Sequence, residues 1–192
     1  MIKTENFKKV EVSSPEELRS WLMQHHGQQE SVWLVTWKKS QPQRYVSREE
    51  LLDELLCFGW IDGIRRKLDA QRTMQLIARR KVEHWAGSYK ERAAKLIAAG
   101  KMQESGLIAI ETSKASGLWD FMDEVDQLIV PLDLSEALAN YHGATAFFEA
   151  INPSSKRFVL RWLKLARTEK TRQKRISRLA QLAARGEKLP GS

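Results

Sequence analysis

One cysteine, Cys57, in 192 residues excludes a disulfide within the chain. A lone thiol fits a reducing compartment. The four histidines, His25, His26, His84 and His142, form no helical pair, and with a single thiol they do not make a zinc ligand set. No metal or other cofactor is therefore expected. No window approaches the ~20 apolar residues of a membrane span. The opening MIKTENFKKVEV has positive charges but no apolar run behind them, so it does not read as a secretory leader. The expectation is a cytoplasmic protein that does not insert into a membrane. The sequence also lacks GxGxxG, a Walker lysine loop, HExxH and GxSxG, which leaves the common dinucleotide, nucleotide, zinc-protease and serine-hydrolase chemistries without a signature. Internal repeats and low-complexity stretches are absent.

What is present begins with charge. The net charge is +8, unevenly spread. From Ser154 to the end, twelve Lys and Arg face two Glu, a net +10; the remainder has twenty basic and twenty-two acidic residues, a net −2. Basicity confined to one segment points to an acidic partner more than the total does, although a solvated helix face is the more ordinary explanation.

Ser14-Pro15 with Glu17 and Ser47 with Glu50 are helix starts of the capping-box type. Between those two helices, Ser31 to Trp37 is a β-branched and aromatic run that predicts a strand. Gly59 ends the second helix. Trp60–Lys67 and Arg72–Arg79 then predict two strands; Asp62-Gly63 suits either a tight hairpin turn or a bulge, and the bulge, with a turn near Asp69-Ala70, is preferred because it leaves two strands of ordinary length. Beyond Arg80 the pattern turns helical. Ser88 with Glu91 predicts a third capping box. Met102–Ala115 predicts a helix, Leu118–Leu132 a connection, and Asp133 with Glu136 a cap. Asn152-Pro153 starts a helix with Phe158, Trp162, Leu163 and Ala166 on its stripe. Thr168-Glu169 starts the last helix, which buries Ile176, Leu179, Ala180 and Ala183. The class is α+β: a small antiparallel sheet with helices over residues 1–117, then a mostly helical, basic part over 118–192.

Two groups of motifs carry a resemblance. The first is CFGWIDG at 57–63, followed by Ala78-Arg79-Arg80-Lys81 and His84-Trp85. The second is Pro131–Leu138, Ala144–Phe148, Arg161–Ala166 and Thr171–Ile176. Together, from Ser31 to Gly186, they resemble the YdeI/OmpD-associated or bacteriocin-protection family. The chain departs from that pattern at Ile77-Ala78, where relatives carry Thr-Pro, and over Glu83–Tyr89, where they carry Ser-x-Trp-Ser-x-x-Asn. The resemblance implies a role in stress or antimicrobial-peptide tolerance and a link to a porin. It supplies no catalytic residue.

The residues themselves suggest two surfaces. If the two predicted strands pair, Trp60, Asp62, Arg65, Arg66, Arg79, Arg80 and Trp85 form a candidate ligand pocket. Aromatic walls with a few fixed charges are how small-ligand sites are built, and arginine forks suit a carboxylate or phosphate. The same residues equally describe an Asp–Arg pair and two core tryptophans. The second surface is a face of the last two helices, with Arg161, Lys164, Arg172, Lys174, Arg175 and Arg178. It suits an anionic partner, including non-specific nucleic acid. Cys57, on an apolar helix, reads as a small hydrophobe. Three readings stay open: a non-enzymatic tolerance protein binding a small anion or a protein partner, a nucleic-acid or anionic-surface binder, and an enzyme with an unrecognised site around GWIDG.

Overall fold

A computed structural model describes residues 6–81 and 84–191. Glu83, within one of the family departures, and the first five residues lie outside the described residues. The chain divides into two compact units, Met1–Asp120 and Phe121–Ser192.

The N-terminal unit is α+β. Its elements are β1 (Lys9–Glu11), α1 (Pro15–His25), β2 (Val32–Trp37), α2 (Arg48–Cys57), β3 (Trp60–Lys67), β4 (Arg72–Arg79), α3 (Gly87–Ala98) and α4 (Glu104–Ala115). The sheet order is β1-β2-β4-β3. The three strands expected from sequence pair antiparallel, β2 with β4 and β4 with β3. A fourth strand, β1, is too short to show a period; it adds in parallel to β2 and makes the sheet mixed. The register between β3 and β4 shifts between Asp62 and Arg65, which places a bulge at Gly63-Ile64. Asp69 closes the hairpin by accepting the backbone N–H groups of Gln71 and Arg72 at 2.8 and 2.7 Å.

Strand alternation divides the sheet into two faces. Val32, Leu34, Ile77 and Trp60 point into a core completed by Leu18 and Leu22 of α1, Leu51, Leu55 and Leu56 of α2, and Ala93 and Leu96 of α3. Cys57 is fully buried there, and burial pushes its thiol pKa up, the reverse of what a nucleophile requires.

The start of α4 is clamped onto the end of α2. The Gln103 N–H donates to the Cys57 carbonyl at 3.0 Å, and the Ser105 hydroxyl donates to that of Phe58 at 3.1 Å. Two glycines permit this approach. Gly59 has φ +70°, and a Cβ on it would lie 2.8 Å from the Ser105 carbonyl oxygen. A Cβ on Gly106 would lie 2.4 Å from the Cys57 carbonyl oxygen.

The C-terminal unit is helical: α5 (Asp123–Asp126), α6 (Leu132–Ala139), α7 (Ala144–Ala150), α8 (Pro153–Lys164) and α9 (Glu169–Ala184). Asn152 and Thr168 cap α8 and α9 as expected, and α9 buries the four expected residues. Several local expectations are corrected. Ser88 lies inside α3, whose cap position is Ala86 with no side-chain cap bond. Pro131, not Asp133, precedes α6, and the Asp133 carboxylate is engaged by an arginine of α9. A short helix, α5, interrupts the expected connection. On α8 Leu163 is buried as expected, but it is joined by Val159 and Leu160, and Phe158 stays 42% exposed.

Gly106→Ala should destabilise the N-terminal unit by about 1–3 kcal/mol, because a methyl group there meets backbone that cannot rotate away. Denaturant unfolding of the purified variant checks this; wild-type stability would mean that α4 is not held so close.

Candidate functional site

Pairing of β3 with β4 sets Trp60 opposite Arg79 and Asp62 opposite Ile77. The seven expected pocket residues nevertheless go to different places.

Trp60 and Trp85 are core. Trp60 is packed edge-on against Trp21 at 5.5 Å, and its indole N–H donates to the His26 carbonyl at 3.1 Å. The Trp85 indole donates to the Ser113 hydroxyl at 2.8 Å, and its ring lies 5.0 Å from that of Trp119. Both are buried, as the alternative reading of two core tryptophans has it. Both indoles have protein acceptors, as buried tryptophans usually do.

Asp62 is the centre of a polar cluster. The Tyr89 hydroxyl donates to one carboxylate oxygen at 2.6 Å and the Gln75 amide to the other at 2.9 Å. The Arg48 guanidinium lies 3.6 Å from the second oxygen. Burial, and then the hydrogen bond to Asp62, push the Tyr89 hydroxyl pKa up to about 12. Asp62 pairs with Arg48 rather than with an arginine of its own hairpin. Arg65, beyond the bulge, is exposed and donates to the Thr73 hydroxyl at 3.0 Å.

Arg79 and Arg80 do meet at a cleft. It has a volume of about 290 Å³ and lies between the end of β4 and α4. Arg79, Arg80 and Lys81 line one side, and Ser105, Ile108 and Thr112 the other, with Gly59 between them. The Arg80 guanidinium is held over the Trp85 ring at 3.9 Å and donates to the His84 carbonyl at 3.1 Å. Arg79 and Lys81 are exposed. The described lining contains three cations and no carboxylate, histidine or cysteine. The clamp at Gly59 and Gly106 is what brings the α4 residues to this strand end. Sequence reasoning missed Ser105, Ile108 and Thr112, because nothing local ties α4 to β4; the two glycines were the available signal.

The expected anionic-partner face is only partly free. Arg172 grips Asp133 with two hydrogen bonds of 2.5 and 2.8 Å, which hold the Asp133 carboxyl below the usual carboxylate range. Lys164 pairs with Glu124 at 2.6 Å. Arg175 lies over the Trp162 ring at 4.8 Å and donates to the Trp162 carbonyl. Arg161, Lys174 and Arg178 are exposed. No helix among the described residues is long and apolar enough to cross a membrane, and no cluster of three metal-ligating side chains occurs among them.

These two units correspond to two known domain families. Residues 10–109, more than half of the chain, match a domain of unknown function (DUF8412), and the chain belongs to that family. Residues 127–186 match a second family model, described as bacteriocin-protection, YdeI or OmpD-associated. The Trp162 and Thr171–Ile176 motifs fall in the second match and the GWIDG block in the first. No curated protein and no solved structure matches the chain.

The raised Tyr89 pKa has a consequence for stability. Its folded value is about 12 against an ordinary 10.0, so the protonated hydroxyl stabilises the fold fully below pH 10, and this contribution is lost as pH rises through 12. The loss is on the order of 2 kcal/mol. Denaturant unfolding between these pH values should show it in the wild type and not in Tyr89→Phe; equal pH slopes would refute the assignment.

Proposed function

We propose that the chain is a cytoplasmic, non-enzymatic binding protein that takes a small anion, a carboxylate or phosphate, in the cleft between β4 and α4. Through its bacteriocin-protection domain it would serve tolerance to antimicrobial peptides. The observation that carries the reading is the run Arg79-Arg80-Lys81 at a cleft whose described lining has no acidic residue. The stack of Arg80 on Trp85 gives that cation a fixed position before any ligand arrives, which lowers the ordering cost of binding. The hydroxyls of Ser105 and Thr112 add neutral partners for an anion's remaining oxygens. Binding is favoured over turnover because the described lining offers no carboxylate, histidine or cysteine to activate the Ser105 and Thr112 hydroxyls. About 290 Å³ is at the lower end of small-molecule clefts, which suits a metabolite rather than a polymer.

The alternative of an anionic partner on the C-terminal helices has less support. Three of the six cations expected there already hold carboxylates or an aromatic ring of their own unit.

A thermal-shift screen of carboxylate and phosphate metabolites tests the proposal. A ligand at one hundred times its dissociation constant adds about 2.7 kcal/mol, which is roughly 5–10 °C for a chain of this size. Arg79→Gln should keep the unliganded melting temperature and lose the shift. A shift that survives Arg79→Gln would place the ligand elsewhere.

A further inference from the structure

The sheet of the N-terminal unit has a second face that the cleft does not use. Trp33 and Val35 are each 2% exposed, yet both lie outside the two hydrophobic cores. They alternate with Val32 and Leu34, which point into the core, so they occupy the opposite face with Trp37, Met74 and Leu76. Cations lie over this aromatic floor. The Arg66 guanidinium lies over Trp33 at 5.4 Å, and those of Arg44 and Arg72 lie over Trp37 at 4.9 and 5.6 Å. Lys9 stands on the same face, in register with Trp33.

The acidic residues nearby do not neutralise the layer evenly. Glu11 and Asp69 both go to Arg72, at 2.6 and 2.7 Å. Arg44 and Arg66 are exposed and have no carboxylate partner among the described residues. A guanidinium lying over an indole keeps its in-plane N–H groups available, so each is a held donor for an anionic oxygen.

A pocket of about 380 Å³ opens at the end of this face, lined by Trp37, Gln41, Pro42, Gln43, Arg44 and Gln71. Its three amides can both donate and accept. The Trp37 indole N–H is shielded from solvent and has no partner among the described residues. A buried donor without an acceptor costs stability and calls for an explanation.

We propose that this face binds single-stranded nucleic acid, with phosphates on Arg44, Arg66 and Lys9 and one base in the pocket beside Trp37. The two features point to the same polymer. Held cations suit a string of phosphates, and a pocket with amides on its wall suits an unstacked base edge. A duplex keeps its bases stacked inside and would leave the pocket empty. A lipid surface would call for exposed apolar side chains, whereas the tryptophans here are covered by cations. The site is separate from the β4–α4 cleft and does not depend on it.

Fluorescence anisotropy of a short labelled oligothymidylate against the full chain, over a range of salt, tests this. Binding should weaken with salt, at about 0.7 units of log–log slope for each phosphate contact on a single strand. Arg44→Gln with Arg66→Gln should lower the slope by about 1.4. Arg44→Lys with Arg66→Lys should restore most of it. Lys174→Gln with Arg178→Gln on α9 should leave it unchanged. Thermal unfolding of each variant confirms that the fold persists. The proposal fails if the oligonucleotide does not bind at low salt, if a duplex of the same length binds as tightly, or if the α9 variant loses as much slope as the sheet variant.

Discussion

A carboxylate placed inside a sheet needs partners before the chain can close around it, and Asp62 is that group here. Its partners come from three elements: Gln75 from β4, Tyr89 from α3 and Arg48 from the first turn of α2. Asp62 thereby ties β3 to β4, α3 and α2 through polar contacts. The bulge at Gly63-Ile64 is part of the same arrangement. It absorbs one residue of β3, so Asp62 stays on the inner face opposite Ile77 while Arg65 and Arg66 fall into a shifted register beyond it. The bulge therefore separates an inner polar cluster from cations that serve the sheet's outer face and edge.

Charge is distributed differently from how it reads along the chain. The segment from Ser154 onward is net +10, but the unit containing it also includes Asp123, Glu124, Asp126, Asp133, Glu136 and Glu149. Counted by unit, 121–192 has twelve basic and eight acidic residues, and 1–120 has twenty and sixteen. Each unit is net +4. Folding brings the acidic stretch of α5 and α6 to Lys164 and Arg172, so part of the tail's charge is internal pairing. The N-terminal unit also has local groups of cations, at the end of β4 and across the sheet's outer face.

Much of the fold was legible in the sequence. The caps at Ser14, Ser47, Asn152 and Thr168, the hairpin with its bulge, and the buried stripe of α9 follow from local chemistry, and each is present. β1 was not legible because three residues carry no periodicity, and its pairing is set by a partner some twenty residues away. The start of α6 was misread because Asp133 is chemically a good cap but geometrically better placed to grip Arg172. The site was legible only in part. Arg79 and Arg80 line the candidate cleft because they stand at the end of β4. Trp60 and Trp85 were misplaced because an aromatic in a motif reads alike whether it lines a pocket or fills a core. Tyr89 and the α4 residues come from tertiary contacts that no spacing in the sequence encodes.

The central claim is that the motif-rich block around Asp62 holds the unit together, while binding belongs to the cations beside it. The measurement that tests this most directly is the stability and anion affinity of Asp62→Asn, taken together. Replacing the carboxylate weakens charged hydrogen bonds from Tyr89 and Gln75, so denaturant unfolding should show a loss of about 1.5–3 kcal/mol. Affinity at the cleft, measured below the unfolding transition, should match the wild type. Unchanged stability with lost affinity would contradict the account and make Asp62 a ligand-contacting residue.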